Sequence, residues 1–300
     1  MPDDLSSVDR CGYSTVGASS VTVPSDQDLQ RSEGSARLAL AGSAHGTRIV
    51  DLFQRSPIRI MFPRIRGAPI EEAVLVNTAG GIAGGDRLEF SVTALANATV
   101  TVTSQAAERV YRALSNAALI DTRLKVHEAA KLAWLPQETI VFNGGRIRRN
   151  TNIEISAGAE LLALEWLVLG RAAHGEEMVC GHISDGWQVK VDGRLIWGDR
   201  FRVVDEVFPR LRSPALLGDF RAIGTLIYFG PDVEARVQFL RDLAPQLPCD
   251  CVTTAVSGLV IARLAARAAA ELKAGLRETL LQLERTWGQA PFRIPKMWSC

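Results

Sequence analysis

Apolar and polar residues alternate with a period of two in segment after segment from residue 35 onward, and this constrains the chain to a β-rich fold. Leu88, Phe90 and Val92 alternate with Glu89, Ser91 and Thr93. Ile120, Thr122, Leu124 and Val126 share one side, and Trp187, Val189 and Val191 share another. Successive side chains of a strand point to opposite faces, so each run reads as a strand. Three stretches also share one shape of strand, short Ala/Gly turn and strand: SVTALANATVTVTSQ (91–105), KVHEAAKLAWLPQ (125–137) and EISAGAELLALEW (154–166). Aligning Ala98, Ala130 and Ala159 gives steps of 32 and then 29 residues. A near-constant step predicts strand layers stacked in a coil, each covering its neighbour's apolar face. Asp192-Gly193, between two further strand runs, predicts a two-residue hairpin.

Helical spacing comes late. Pro231-Asp232 opens a segment with Val233, Val237, Leu240 and Leu243 on one side, and Pro suits a first turn. In residues 268–287, Leu272, Leu276, Leu280 and Leu283 form one stripe, read as core in preference to an interface. Strands first and helices after predict a mainly β (β-rich α+β) fold: a coil-like stack of β-strand layers with two α-helices in the C-terminal third. Residues 1–34, rich in Ser, Asp, Gly and Val without lasting periodicity, read as a disordered tail, and 35–300 as a single domain.

The chain has 300 residues, 47% of them hydrophobic, so a sizeable core is within reach. A formal net charge of +1 offers no footprint for nucleic acid or a membrane surface. The longest greasy stretch, LLALEWLVLG (161–170), is too short to span a bilayer and is interrupted by Glu165. Five scattered cysteines do not read as a disulfide framework, and the acidic start MPDDLSSVDR is no signal peptide; both point to the cytoplasm.

Which residues carry chemistry? VLVNTAGGIAGGDRLEF (74–90) has glycine pairs but no Lys-Ser/Thr after them, and Asp86 would repel phosphate. The glycines read instead as turn devices between strands. HGEEMVCGH (174–182) reads either as a nickel or zinc site or as a polar loop. Cys249-x-Cys251 is too close-set for the usual zinc pair and falls at a strand start. The doublets Glu71-Glu72 and Arg148-Arg149 read as solvated surface. Three acids do not fit a solvated face: Asp86 closing the glycine motif, Glu165 inside its apolar run, and Asp199 after Leu195-Ile196-Trp197-Gly198. A buried carboxylate needs a partner. One reading pairs these acids with Arg87, Arg171 and Arg200; another places them on a polar interior route. A third makes Glu165 and Asp199 the acid–base pair of a hydrolase or transferase.

As an ordered set, VNTAGGIAGGDRLEFSVTA, SQAAERVYRA (104–113), WLPQETIVFNGGRIRR (134–149), LLALEWLVLGRAAHGE (161–176) and the closing IPKMW (294–298) resemble the urease accessory protein family UreD, also called UreH, over about residues 35–298. The resemblance implies a non-enzymatic scaffold of urease maturation with a helical stack of strands and two α-helices. It further implies as partners the urease apoprotein subunits and the accessory proteins UreF and UreG. No tightly bound cofactor is implied, only transient Ni²⁺ passing an internal acidic route. By position in the family's motifs, the metal-route acids would be Asp86, Glu165 and Asp199. The residue after Asp86, acidic in some relatives, is Arg87 here.

Overall fold

The computed structural model describes residues 30–63, 71–286 and 292–299. The expected tail therefore lies outside the described residues up to position 29, and the first strand, β1, begins at Glu33 (Glu33–Ser43). Among the described residues two sheets form the body: one of seven strands, which begins with β1 and β2 (Gly46–Arg55), and one of ten, which includes β3 (Ile58–Met61), β4 (Glu72–Asn77) and the short β7 (Glu108–Val110) and β10 (Thr139–Val141). Between residues 87 and 191 the chain alternates between them. β5 (Arg87–Ala94), β8 (Ala118–Val126), β11 (Arg146–Ile155) and β13 (His182–Val191) lie in the first sheet; β6 (Thr99–Ser104), β9 (Lys131–Leu135) and β12 (Glu160–Leu169) lie in the second. Within each sheet these strands pair in parallel.

The register reproduces the repeat. Arg87 pairs with Leu119, and Leu119 with Arg148, so the steps are 32 and 29 residues. At the corners Ala98, Ala130 and Ala159 are buried in a column. Each follows a residue in the left-handed region, Asn97 (φ 61), Ala129 (φ 55) and Gly158 (φ 79). The same turn closes three times, with Ala98, Ala130 and Ala159 N–H donating to the carbonyls of Leu95, His127 and Ser156 at 3.0, 3.0 and 3.1 Å. The stack is a solenoid. β13 then turns at Asp192-Gly193, both at positive φ, into antiparallel β14 (Arg194–Val203), as that dipeptide predicts.

Apolar layers sit on both faces of the second sheet. One core lies between the sheets, where Leu88 and Val92 meet Val100, Leu132 and Leu161. The other packs the second sheet against helices α1 (Val233–Leu243), which follows β15 (Ala222–Phe229), and α2 (Ala269–Thr286), which follows β16 (Asp250–Val256) and β17 (Leu259–Ala266), the three strands pairing antiparallel. Leu272, Leu276, Leu280 and Leu283 are all buried there, so the late stripe is core. The IPKMW ending docks on the same side: Trp298 donates its indole N–H to the Leu135 carbonyl at 3.0 Å. Coverage on both faces explains why β12 reads LLALEWLVL, apolar at every position but Glu165. No helix of the described residues is long and apolar enough to cross a membrane.

Candidate functional site between the sheets

The parity of β12 determines where Glu165 goes. Leu161, Ala163, Leu167 and Leu169 belong to the inter-sheet core, so Glu165 points into it, 3% exposed. Thr151 on β11 donates its hydroxyl to the carboxylate, with contacts of 2.9 and 3.0 Å to the two oxygens, and the Trp134 indole N–H donates at 3.1 Å. Arg149, also on β11, reaches across from the first sheet to within 3.3 Å of Glu165. Its guanidinium is bidentate to Asp185 on β13, at 2.7 Å twice, and donates to the Thr139 hydroxyl at 3.1 Å. Burial pushes the Glu165 carboxyl up, with Arg149 working against that shift. Burial also opposes the Arg149 charge, but Asp185 and Glu165 outweigh it and hold the guanidinium protonated.

Two cavities flank this trio. The larger, about 350 Å³, is lined by Glu165, Asp185, Asp199, Thr225 and Arg263 among apolar neighbours. The smaller, about 50 Å³, is lined by Glu165, Arg149, Glu108, Asn77 and Thr139, with Ile82 and Leu88 closing it toward the glycine loop. Among the described residues Glu165 alone belongs to both linings. Burial raises Glu108, whose carboxylate accepts from the Asn77 side-chain amide at 3.0 Å.

Each of the three sequence-selected acids takes a different partner from the arginine beside it in the chain. Glu165 meets Arg149 and not Arg171, which pairs with Glu176. Asp199 pairs with Arg263 on β17 at 2.6 Å, while Arg200 donates to Ser184 and Asn150. Asp86 accepts backbone N–H bonds from Ser32 and Ala83, both at 2.8 Å, and Arg87 is exposed. Asp86 therefore closes the glycine loop on itself and ties it to the segment entering β1. The glycines are turn devices as expected: a Cβ at Gly84 would collide with Ala113 and the Asn116 carbonyl, and Gly85 holds φ +88. Glu165 and Asp199 thus share one cavity, whereas Asp86 lines neither.

Two sequence expectations need correction. Arg149 is not solvated surface; it is 6% exposed, and only Arg148 of that doublet faces water. The reading that pairs Glu165 with Arg171 is corrected too: its partner is Arg149, from the facing sheet. Both Arg149 and its clamp Asp185 were missed, although parity carried the signal. Ile147, Ile153 and Ile155 mark the buried face of β11 and place Arg149 on it; Ile183, Trp187 and Val189 do the same for Asp185. The 174–182 segment is a loop whose acids are taken: Glu176 pairs with Arg171, and Glu177 with Arg212 and Arg221. Among the described residues no group of three or more His, Cys, Asp or Glu is placed to hold a metal ion.

Fold and site together define a β-solenoid scaffold with a charged interior between its sheets. The chain matches the family model described as UreD urease accessory protein over residues 32–299. It is 40% identical over 270 residues to the urease accessory protein UreD of Xanthobacter autotrophicus, covering 90% of this chain and 91% of the relative. It is 37% identical over 270 residues to that of Azorhizobium caulinodans (90% and 97% covered), and 38% identical over 280 residues to that of a Methylobacterium species (90% and 99% covered). The chain belongs to the UreD urease accessory protein family. Membership implies a role in urease maturation, and the accessory standing of its relatives agrees with a non-enzymatic one.

Proposed function

We propose that this chain is a maturation scaffold that binds the urease apoprotein and the UreF and UreG accessory proteins and passes Ni²⁺ through its interior toward urease. The observation that carries the route is the shared position of Glu165: it lines the cavity that holds Asp199 and also the smaller one, whose lining includes Ile82 of the glycine loop. Single carboxylates with hydroxyl and carbonyl neighbours give oxygen ligation that exchanges readily, whereas nitrogen and sulfur cages hold later first-row metals tightly. A carrier must release its cargo, so the dispersed acids suit transit. Asp199 and Glu165 are the stations with cavity access. Asp86 is the third, at the loop end, where each carboxylate oxygen accepts one backbone N–H and keeps a further lone pair.

An acid–base pair made of Glu165 and Asp199 would need both groups free to reach one substrate. Asp199 is engaged by Arg263 and Glu165 by Thr151, Trp134 and Arg149, which favours the transit reading. The test is urease activated in cells carrying Asp86→Ala, Glu165→Ala or Asp199→Ala, with folding of each variant verified. Loss of urease nickel content is expected, most for Glu165 and Asp199; unchanged nickel content in all three would defeat the route. Co-purification with UreF, UreG and urease subunits tests the scaffold part.

A further inference from the structure

We propose that Arg149 is the gate of this interior, a built-in cation that competes with the cargo for Glu165 and keeps its binding reversible. The proposal rests on the transit reading above. Its geometric basis is the asymmetry of the guanidinium's contacts. Toward Asp185 it makes two hydrogen bonds of 2.7 Å; toward Glu165 it makes one contact of 3.3 Å. The clamp to Asp185 is the short, planar fork-to-fork kind that fixes an arginine in place. The Glu165 contact is the one that yields.

Glu165 does not depend on Arg149 for its orientation. Thr151 and Trp134 hold the carboxylate from other directions, at 2.9 to 3.1 Å. A cation that takes over the Glu165 contact meets a carboxylate already aimed, while Arg149 stays on Asp185. The placement suits a gate as well. Arg149 lines the smaller cavity, Asp185 the larger, and Glu165 both, so the trio is the partition between them. With both carboxylates ionised the trio carries a net charge of −1. It attracts a cation, yet its guanidinium repels a divalent one at close range, so the ion arrives without being trapped.

The experiment is equilibrium dialysis of the purified full chain against nickel chloride, paired with the nickel content of urease activated in cells. The double variant Arg149→Met/Asp185→Asn keeps the local charge at −1 but removes the competing cation. It is expected to bind Ni²⁺ at least about tenfold more tightly and to deliver less of it to urease. Arg149→Lys, which keeps the charge, is expected to stay near wild type, and adding Glu165→Gln to the double variant is expected to abolish the gain. Should the double variant fail to fold, Arg149→Gln/Asp185→Asn keeps the local charge at −1 and reads the same shift, with an amide pair in place of the ion pair. A folded neutral variant with unchanged or weaker affinity overturns the gate, as does a gain that persists with Glu165→Gln. If Glu165→Gln alone lowers nickel binding while the Arg149 variants match wild type, the gate fails and the route stands. If Glu165→Gln alone changes neither binding nor delivery, the route fails and the gate with it.

Discussion

The two faces of β12 show what each half of the molecule is built for. Leu162, Leu164, Trp166 and Val168 face the helices and meet only apolar packing. Leu161, Ala163, Leu167 and Leu169 face the other sheet, but the row is interrupted by Glu165, with Arg149 and Asp185 opposite. One strand therefore serves a core of ordinary composition on one side and a buried charged trio on the other. Replacing buried ion pairs by apolar residues of similar volume is often neutral or stabilising, so stability alone does not explain the trio. Its retention on one face only is better explained by the cavities it separates.

The largest effect expected is from breaking the trio on one side. Arg149→Met strands Glu165 and Asp185 without their shared cation, a change that costs about 3–5 kcal/mol in buried pairs. Replacing the whole trio by apolar residues is expected to recover most of that loss in urea denaturation while abolishing nickel delivery. If the apolar replacement is as unstable as the single variant, the trio is a structural brace and the contrast between the two faces collapses.

On the helix side, Leu276→Ala removes a fully buried side chain from α2 and is expected to cost about 3 kcal/mol. Urease nickel content per folded molecule should not move. A selective loss of delivery there would mean that the helix face also belongs to the route.

A pH series sharpens the same contrast. Burial raises Glu108 above its ordinary value of 4.5, so the folded chain binds this proton more tightly than the unfolded chain. The stability it contributes is fully present below about pH 4.5 and is lost as the pH rises through the raised value. Glu108→Gln is therefore expected to be more stable than wild type near pH 7, with the difference closing near pH 4. A difference independent of pH would show that Glu108 is not strained by burial.

The solenoid was legible because its cause is local. Parity marks the buried side of each strand, and the alanine corners repeat with the rungs, so steps of 32 and 29 follow from the letters alone. Both helices could be read from their stripes, and Glu165 from its incongruous neighbours. What adjacency in the chain could not supply was partners. Arg149 comes from β11 to meet Glu165 on β12 across the two sheets, and Arg263 comes from β17 to meet Asp199 on β14. These pairings depend on how sheets stack, whereas the arginines at positions 87, 171 and 200 were merely close in sequence. Asp86 was conspicuous because it closes the glycine motif, yet its partners are backbone N–H groups, which no side-chain pattern announces.

The smallest effects concern the corners, which belong to neither face. Ala129 and Gly158 occupy the same turn position with φ of 55 and 79. A Cβ at Gly158 would meet nothing within 4 Å, so Gly158→Ala carries the backbone penalty of the left-handed region, about 1 kcal/mol, offset in part by the freedom alanine lacks in the unfolded chain, for a net cost of about 0.5 kcal/mol. Ala129→Gly relieves that penalty, but glycine also gains freedom in the unfolded chain, and the net stabilisation expected is about 0.5 kcal/mol. Urea midpoints measure both. Because the corner sets the frame for both faces while touching neither cavity, nickel delivery should stay at wild-type level in each variant. Shifts of the same sign in the two midpoints would show that neighbouring rungs, and not the turn conformation, decide the energy of these corners.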